Sequence, residues 1–493
     1  MRNPARAIAL RSAATAPRLE RRASDEALSR LRSFLQDRGV RRADKPEGES
    51  FAEFEKSLHA KLMEYERELL AEEMARADID AGAIVVEGVT YRRVVRCFET
   101  YFTAAGPVRI ERTLYKDRTD ETGRSLSPMD LRLGIVEGRW TPTAAQQAAW
   151  VVSQMTPESA EELFKRVGNM TPSKSSLDRL PKALSARWEQ DRVHFERALR
   201  DGDVIPQHAR TVAVSLDGVL APMKDGGAKE KRQQTANEGR LTRGPAGYRE
   251  VGCGAISFCD SEGEMISAVR MARMPEPRKT TLKRTLFADM TALLAERPDL
   301  VVVKLADGAA DNWTYLSSIL PEGIEILDFY HAAEHLNTAL GSVYGDGTVE
   351  ARKRFEALRF TLREEVDGAE KVIRALNYLR KKHPNNKQVE RELDYFRNNR
   401  HRMRYQHFAA QGLPIGSGVV EAACKTLVTQ RMKQSGMRWG EDGGQAILTL
   451  RGWTQSGDRF DRAWALLAAT YQAEVLTLHN VVPFPPGGRQ KAR

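Results

Sequence analysis

Three carboxylates stand where they could do phosphoryl chemistry. Asp217 lies in "TVAVSLDGVLAPM" and Asp307 in "LVVVKLADGAADNW", and each directly precedes a glycine. The alternating apolar residues before the first, and the unbroken apolar run before the second, read as strands. Each carboxylate is therefore expected at a strand end with close backbone clearance. Glu421 enters from "GLPIGSGVVEAACKTLVTQRMKQSGMRWG" (412–440), a helix whose start is loosened by Gly416 and Gly418. Three carboxylates converging from two strands and a helix make a hard, oxygen-rich site suited to Mg2+ or Mn2+. Two such ions, about 3.5–4 Å apart, can activate the attacking oxygen and stabilise the leaving one in phosphodiester chemistry. The helix carrying Glu421 is otherwise basic, with Lys425, Arg431, Lys433 and Arg438 expected to neutralise DNA phosphates beside the metals. Taken singly, each acid has a plainer reading. An Asp-Gly after a strand is commonly a turn, and Glu421 with Lys425 at i, i+4 is a helix ion pair. The three together, in this element order, favour chemistry.

The elements around the acids must position them. "TVAVSLDGVLAPM", "GYREVGCGAISFCD" and "EMISAVRMARM" read as three strands, with a basic glycine-containing loop (224–243) after the first. An amphipathic helix, the strand before Asp307, a short helix and the strand "GIEILDFYH" follow, the last ending on Asp328 and His331. That order is the order of an RNase H-like sheet. Residues 332–411 break the rhythm with a highly charged, wholly helical pattern. The fold class expected is thus an α/β RNase H-like catalytic core (206–331 and 412–475) with an all-α insertion (332–411), preceded by helical and small β N-terminal domains.

Those N-terminal segments carry their own signals. Residues 1–48 read as a basic disordered arm and 49–140 as a helix plus a small β-rich domain. Ser50 followed by Glu53 is a capping box, and Phe51, Phe54, Leu58, Leu62, Tyr65 and Leu69 form a heptad-like seam for packing or self-association. Within 141–205, Thr141, Thr156 and Thr171 are each followed by proline, fifteen residues apart, and each pair should start a helix. Three short helices are the parts of a helix-turn-helix. The third offers Lys174, Ser175, Ser176 and Arg179 to phosphates or base edges, although Pro181 is expected to interrupt it. A plain three-helix packing unit is the alternative. Residues 476–493 read as a disordered tail.

Composition narrows the classes. A chain of 493 residues with 41% hydrophobic and 29% charged residues has enough apolar mass for two or three domains, and it lacks an apolar run able to span a bilayer. The formal charge of +10 suits a polyanionic partner. The four cysteines (Cys97, Cys253, Cys259, Cys424) show no C-x-x-C pair, as in a reduced cytosolic protein.

With "YFRNNRHRMRYQHF" and "DFYHAAEHL", the run from "GSGVVE" through "RMKQSGMRW" resembles the bacterial insertion-sequence transposases of the Kra type. These belong to the DDE, RNase H-like superfamily. The likeness covers roughly 211–451. It implies Asp217, Asp307 and Glu421 as a triad holding two Mg2+ (or Mn2+) ions, and Asp328 with His331 as a D-x-x-H pair that is either catalytic accessory or core support. It implies a DNA transposase that nicks insertion-sequence ends by Mg-dependent hydrolysis, then joins the freed 3′-OH to target DNA. The partners implied are double-stranded DNA (transposon ends and target) and further copies of the chain, in a bacterial cytoplasm near the nucleoid. Two rivals share the evidence: a nuclease on the same core without strand transfer, and a non-catalytic DNA-binding descendant. The second would be marked by loss of an acid, and none is lost.

Overall fold

In the computed structural model, residues 22–44, 50–117, 119, 123, 125–224, 247–416 and 418–478 are described. The chain is mixed α/β with two sheets, and its contacts divide it into two compact units.

The first unit holds 1–144, 164–172 and 471–493. Its sheet has the order β3-β2-β1-β9, from β1 (Ala83–Val86), β2 (Val89–Thr103), β3 (Gly106–Lys116) and β9 (Val475–Thr477), all antiparallel. β9 overlaps the start of the expected disordered tail: Val475–Thr477 gains the free edge of β1, with Ile84 opposite Thr477. Residues 479–493 lie outside the described residues. The helix Phe51–Arg76 opens on the anticipated capping box, with the Ser50 hydroxyl and the Glu53 carboxylate each serving the other's amide. The arm expected to be disordered contains a helix, Ala23–Asp44. Ala27, Leu31 and Phe34 fall at i, i+4 and i+7, an apolar stripe hidden in an arginine-rich composition. Ala27 and Leu31 are buried, Phe34 stacks on Phe54 at 5.9 Å, and Arg30 pairs with Glu64 at 3.0 Å. Residues 1–21 and 45–48 of that arm lie outside the described residues.

The second unit holds 145–163 and 173–470. Its five-stranded sheet has the order β6-β5-β4-β7-β8, from β4 (Thr211–Pro222), β5 (Tyr248–Cys259), β6 (Met265–Arg273), β7 (Val301–Ala306) and β8 (Ile324–Leu327). β4, β5 and β6 form an antiparallel meander, whereas β7 and β8 run parallel to β4. The switch follows from the connections. A short turn joins β5 to β6, while the helices Thr280–Glu296 and Ala310–Ser318 carry the chain back for each parallel addition. Residues 225–246, which include all of the expected basic loop (224–243) except Lys224, lie outside the described residues.

Helices Phe329–Tyr344, Val349–Glu364, Gly368–Lys382, Lys387–Asn399 and Tyr405–Ala410 occupy the segment between β8 and residue 412. Leu336, Leu376, Leu393 and Phe396 bury into the same apolar cluster as Val214 and Val303 of the sheet. The segment around Glu421 is less regular than a single helix. Gly418–Ala423 is α-helical, Cys424–Thr429 is a π-helical turn, and one last turn ends at Met432. Helix Lys174–Gln190 starts from a Ser173 cap rather than from Thr171, and it runs on through Pro181. Its buried face, Leu177, Leu180, Pro181, Leu184 and Trp188, packs on helix Glu441–Thr454, with Trp188 4.5 Å from Trp453.

Candidate active site

The parallel pairing of β4 with β7 ends at Ser215 opposite Leu305. Asp217 and Asp307 each stand two residues beyond that last pair, so they project at matching heights from neighbouring strands. Contrary to the expected strand end, Asp217 lies within β4, which continues to Pro222 by pairing with β5, where Cys253 lies opposite it. Relative to β7, however, it has already passed the end of the ladder.

Both carboxylates are half-buried and held. Asp217 Oδ1 accepts the Gly218 N–H at 2.6 Å, and Oδ2 accepts the Cys424 thiol at 3.3 Å. Burial pushes the Asp217 carboxyl above the ordinary aspartate range. The Asp307 charge adds to that shift, against the opposing pull of the Gly218 amide, the Cys424 thiol and His331. Asp307 Oδ1 accepts the Ala309 N–H and the Asn312 side-chain N–H, both at 3.2 Å. Its carbonyl takes the Trp313 indole N–H at 2.5 Å. Asn312, buried at 3% exposure, also donates to Leu216 O at 3.2 Å, so a single amide ties Asp307 to β4. Sequence reasoning passed over Asn312. Its signal was the "DNW" of a motif valued only for its first aspartate.

Glu421 is exposed on helix Gly418–Ala423, which lies against β4 and β5 through Val420 and Ala423. Cys424, three residues on, is its neighbour on the helix surface and reaches Asp217. Glu421 and Lys425 are both exposed, and among the described residues no ion pair within 4.0 Å joins them. Nor do any three His, Cys, Asp or Glu side chains among the described residues stand together as a metal-holding group. The structure brings Asp217 and Asp307 together and leaves Glu421 one element away.

Asp328 is buried at 1% exposure and caps helix Phe329–Tyr344, its Oδ1 accepting the His331 N–H at 2.8 Å. The D-x-x-H spacing is thus the spacing of a cap to the third helical residue. The His331 ring lies 3.5 Å from Glu334 and near enough to Asp217 to favour its ionised form.

The cations divide. Lys425, Lys433 and Arg438 are exposed. Arg431 is seven residues before Arg438, a spacing that would put both on one face of an unbroken helix tracking a DNA strand, but it is buried at 2% exposure, its guanidinium 5.2 Å from the Trp439 ring. The shared face does not form because the helix stops at Met432, and Gly436, at φ 75°, turns the chain before Arg438. Lys174 and Arg179 are exposed but engaged locally, Lys174 with Glu158 at 3.0 Å and Arg179 with Ser175 O at 3.2 Å.

No family model matches the chain, and no curated protein matches it. Among solved structures it is similar to a Drosophila P element transposase strand transfer complex, at 11% identity and a TM-score of 0.25, over 67% of this chain and 83% of that one. A likeness at that level carries no weight for the chemistry. Among the described residues, no helix is long and apolar enough to cross a membrane.

Proposed function

We propose that this chain is a DNA transposase of the DDE class with an RNase H-like core, cutting phosphodiester bonds at insertion-sequence ends and joining the freed 3′-OH to target DNA. The observation that carries the reading is the matched placement of Asp217 and Asp307 beyond the β4–β7 ladder, inside the order β6-β5-β4-β7-β8.

The donor set fits a divalent cation. The two carboxylates stand close enough for the charge of Asp307 to raise the Asp217 carboxyl, a repulsion that a bound cation removes. The Cys424 thiol does not compete as a soft ligand, since the Cys253 thiol and burial hold it protonated and donating. A bound pair of Mg2+ or Mn2+ ions would supply charge stabilisation at the attacking and leaving oxygens. The residues of the chain do the rest. Asp217 and Asp307 provide oxygens, Asn312 and Trp313 hold Asp307 in place, and Glu421 supplies the third carboxylate by approaching the pair on binding. Lys425, one turn beyond Glu421, lies where its charge can act on the reacting phosphate. Lys433 and Arg438 hold the DNA backbone, as do Lys174 and Arg179 once released from their local partners.

The test is cleavage of DNA bearing the candidate ends, with Mg2+ or Mn2+, by the full chain and by Asp217→Asn, Asp307→Asn and Glu421→Gln. Each variant should lose cleavage and joining while keeping DNA affinity. A variant that cleaves like the parent removes its residue from the triad. Cleavage without joining of a free 3′-OH end identifies a nuclease, and inverted repeats bounding the reading frame would support the transposase.

A further inference from the structure

The stretch from Arg431 to Trp439 plays no part in the metal chemistry, yet the structure makes it the wall of a cavity of about 810 Å³. Trp439 and Arg431 line that cavity beside Leu177 and Ile447, with Lys224 and Arg438 at exposed positions. The tryptophan is half-buried and rigidly held. Its indole N–H donates to Met432 O at 2.9 Å, its amide to Pro222 O at 3.0 Å, and its carbonyl accepts the Lys224 amide at 2.7 Å. Arg431 underlies the ring. One Nη2–H donates to Val152 O at 3.4 Å, while Nε and Nη1 are buried without a partner. Burial, with Arg451 nearby, lowers its pKa to about 10, so it stays charged at neutral pH and holds the indole by a cation–π contact. A buried guanidinium with unmet donors is a cost to stability of a kind that marks functional sites.

The other charged groups of the wall leave a positive balance. Lys182 pairs with Asp178, and Glu441 pairs with Arg249 at 2.7 Å, leaving Asp442 against Lys224, Arg431 and Arg438.

We propose that this cavity takes one unpaired nucleotide of bound DNA, its base stacked on Trp439 and its flanking phosphates at Lys224 and Arg438. The inference rests on the DNA reading above and adds a site to it. A rigid, half-exposed indole with a basic rim suits an aromatic ligand that carries phosphate, and the volume falls within the range of small-molecule pockets. Only a base outside the duplex stack can offer its face to the ring. The position also follows. Met223 bridges to Trp439 and lies six residues beyond Asp217 along the chain, or roughly 20 Å at strand rise. That is about six base steps from the reacting phosphate.

The experiment compares full-chain binding to two duplexes that differ by a single unpaired nucleotide, with 2-aminopurine at that position. The wild type should bind the bulged duplex about fivefold or more tightly, the lower range of a base–aromatic stack, and should quench the probe. Trp439→Phe should keep most of that preference, and Trp439→Ala should bring the ratio of affinities to about one. Equal binding of both duplexes by the wild type would overturn the inference and leave the DNA reading standing. So would a Trp439→Ala effect of the same size on both, which would make the ring a general surface contact. Binding to neither would sink the DNA reading and this site with it.

Discussion

Gly308 offers a sharp test of how the catalytic loop is held. A Cβ added there would lie 2.2 Å from Tyr395 Cε2 and 2.9 Å from its Cζ and hydroxyl, whereas carbon contacts relax only near 3.5–4.0 Å. The ring would have to retreat by more than about 1 Å. It has little room, since it stacks on His335 at 3.6 Å between centroids, and His335 is tied to the buried Glu392 at 2.5 Å. Overpacking of this kind costs about 1–3 kcal/mol. Gly218, the glycine after the other aspartate, makes the control. A Cβ there meets Glu250 Oε1 at 1.8 Å, but that atom ends a flexible, 48%-exposed side chain, paired with Lys279 at 2.8 Å. Losing such a surface pair costs roughly 0–1 kcal/mol. Urea unfolding of the full chain should therefore show Gly308→Ala clearly destabilised and Gly218→Ala close to the parent. In the cycle with Tyr395→Ala, the Gly308→Ala penalty should vanish, giving a coupling equal to it, about 1–3 kcal/mol. Because Asp307 precedes Gly308, cleavage by Gly308→Ala should also fall. A Gly308→Ala protein as stable as the parent, or a coupling of zero, would refute the argument.

Other outcomes follow from the same structure. Arg431→Met should leave stability unchanged or raise it by about 1–3 kcal/mol, because two unmet buried donors disappear; a strongly lowered unfolding midpoint would count against this. Arg438→Ala and Lys433→Ala should each lower the salt slope of DNA binding by about one, read from affinities across a salt series. Lys425→Ala should instead reduce single-turnover cleavage more than affinity, by about tenfold or more if its charge serves the reacting phosphate. Ser50→Ala should cost about 1 kcal/mol and speed hydrogen exchange at the Glu53 amide, which the Ser50 hydroxyl caps.

Local chemistry was legible in the sequence wherever one short segment decides the outcome. The capping box at Ser50 and Glu53, the alternation of β4 and the apolar run of β7 depend on neighbours a few residues away, so pattern alone determines them. Patterns masked by composition escaped it, as in helix Ala23–Asp44, whose apolar stripe lies among arginines. What only the tertiary structure decided depends on residues far apart in the chain. β4 outruns β7 because it has a second partner in β5, so Asp217 sits within a strand yet level with Asp307. Asn312 gains its role from a carbonyl 96 residues earlier. Leu476 and Thr477, read as tail, join Val475 in a strand because β1 has a free edge. Arg431 shows the difference most directly. Its type and spacing mark a cation on a basic helix, but the helix ends one residue later and the chain folds back to set Trp439 over the guanidinium. A charge is written in the sequence, whereas the solvent around it is set by what packs there.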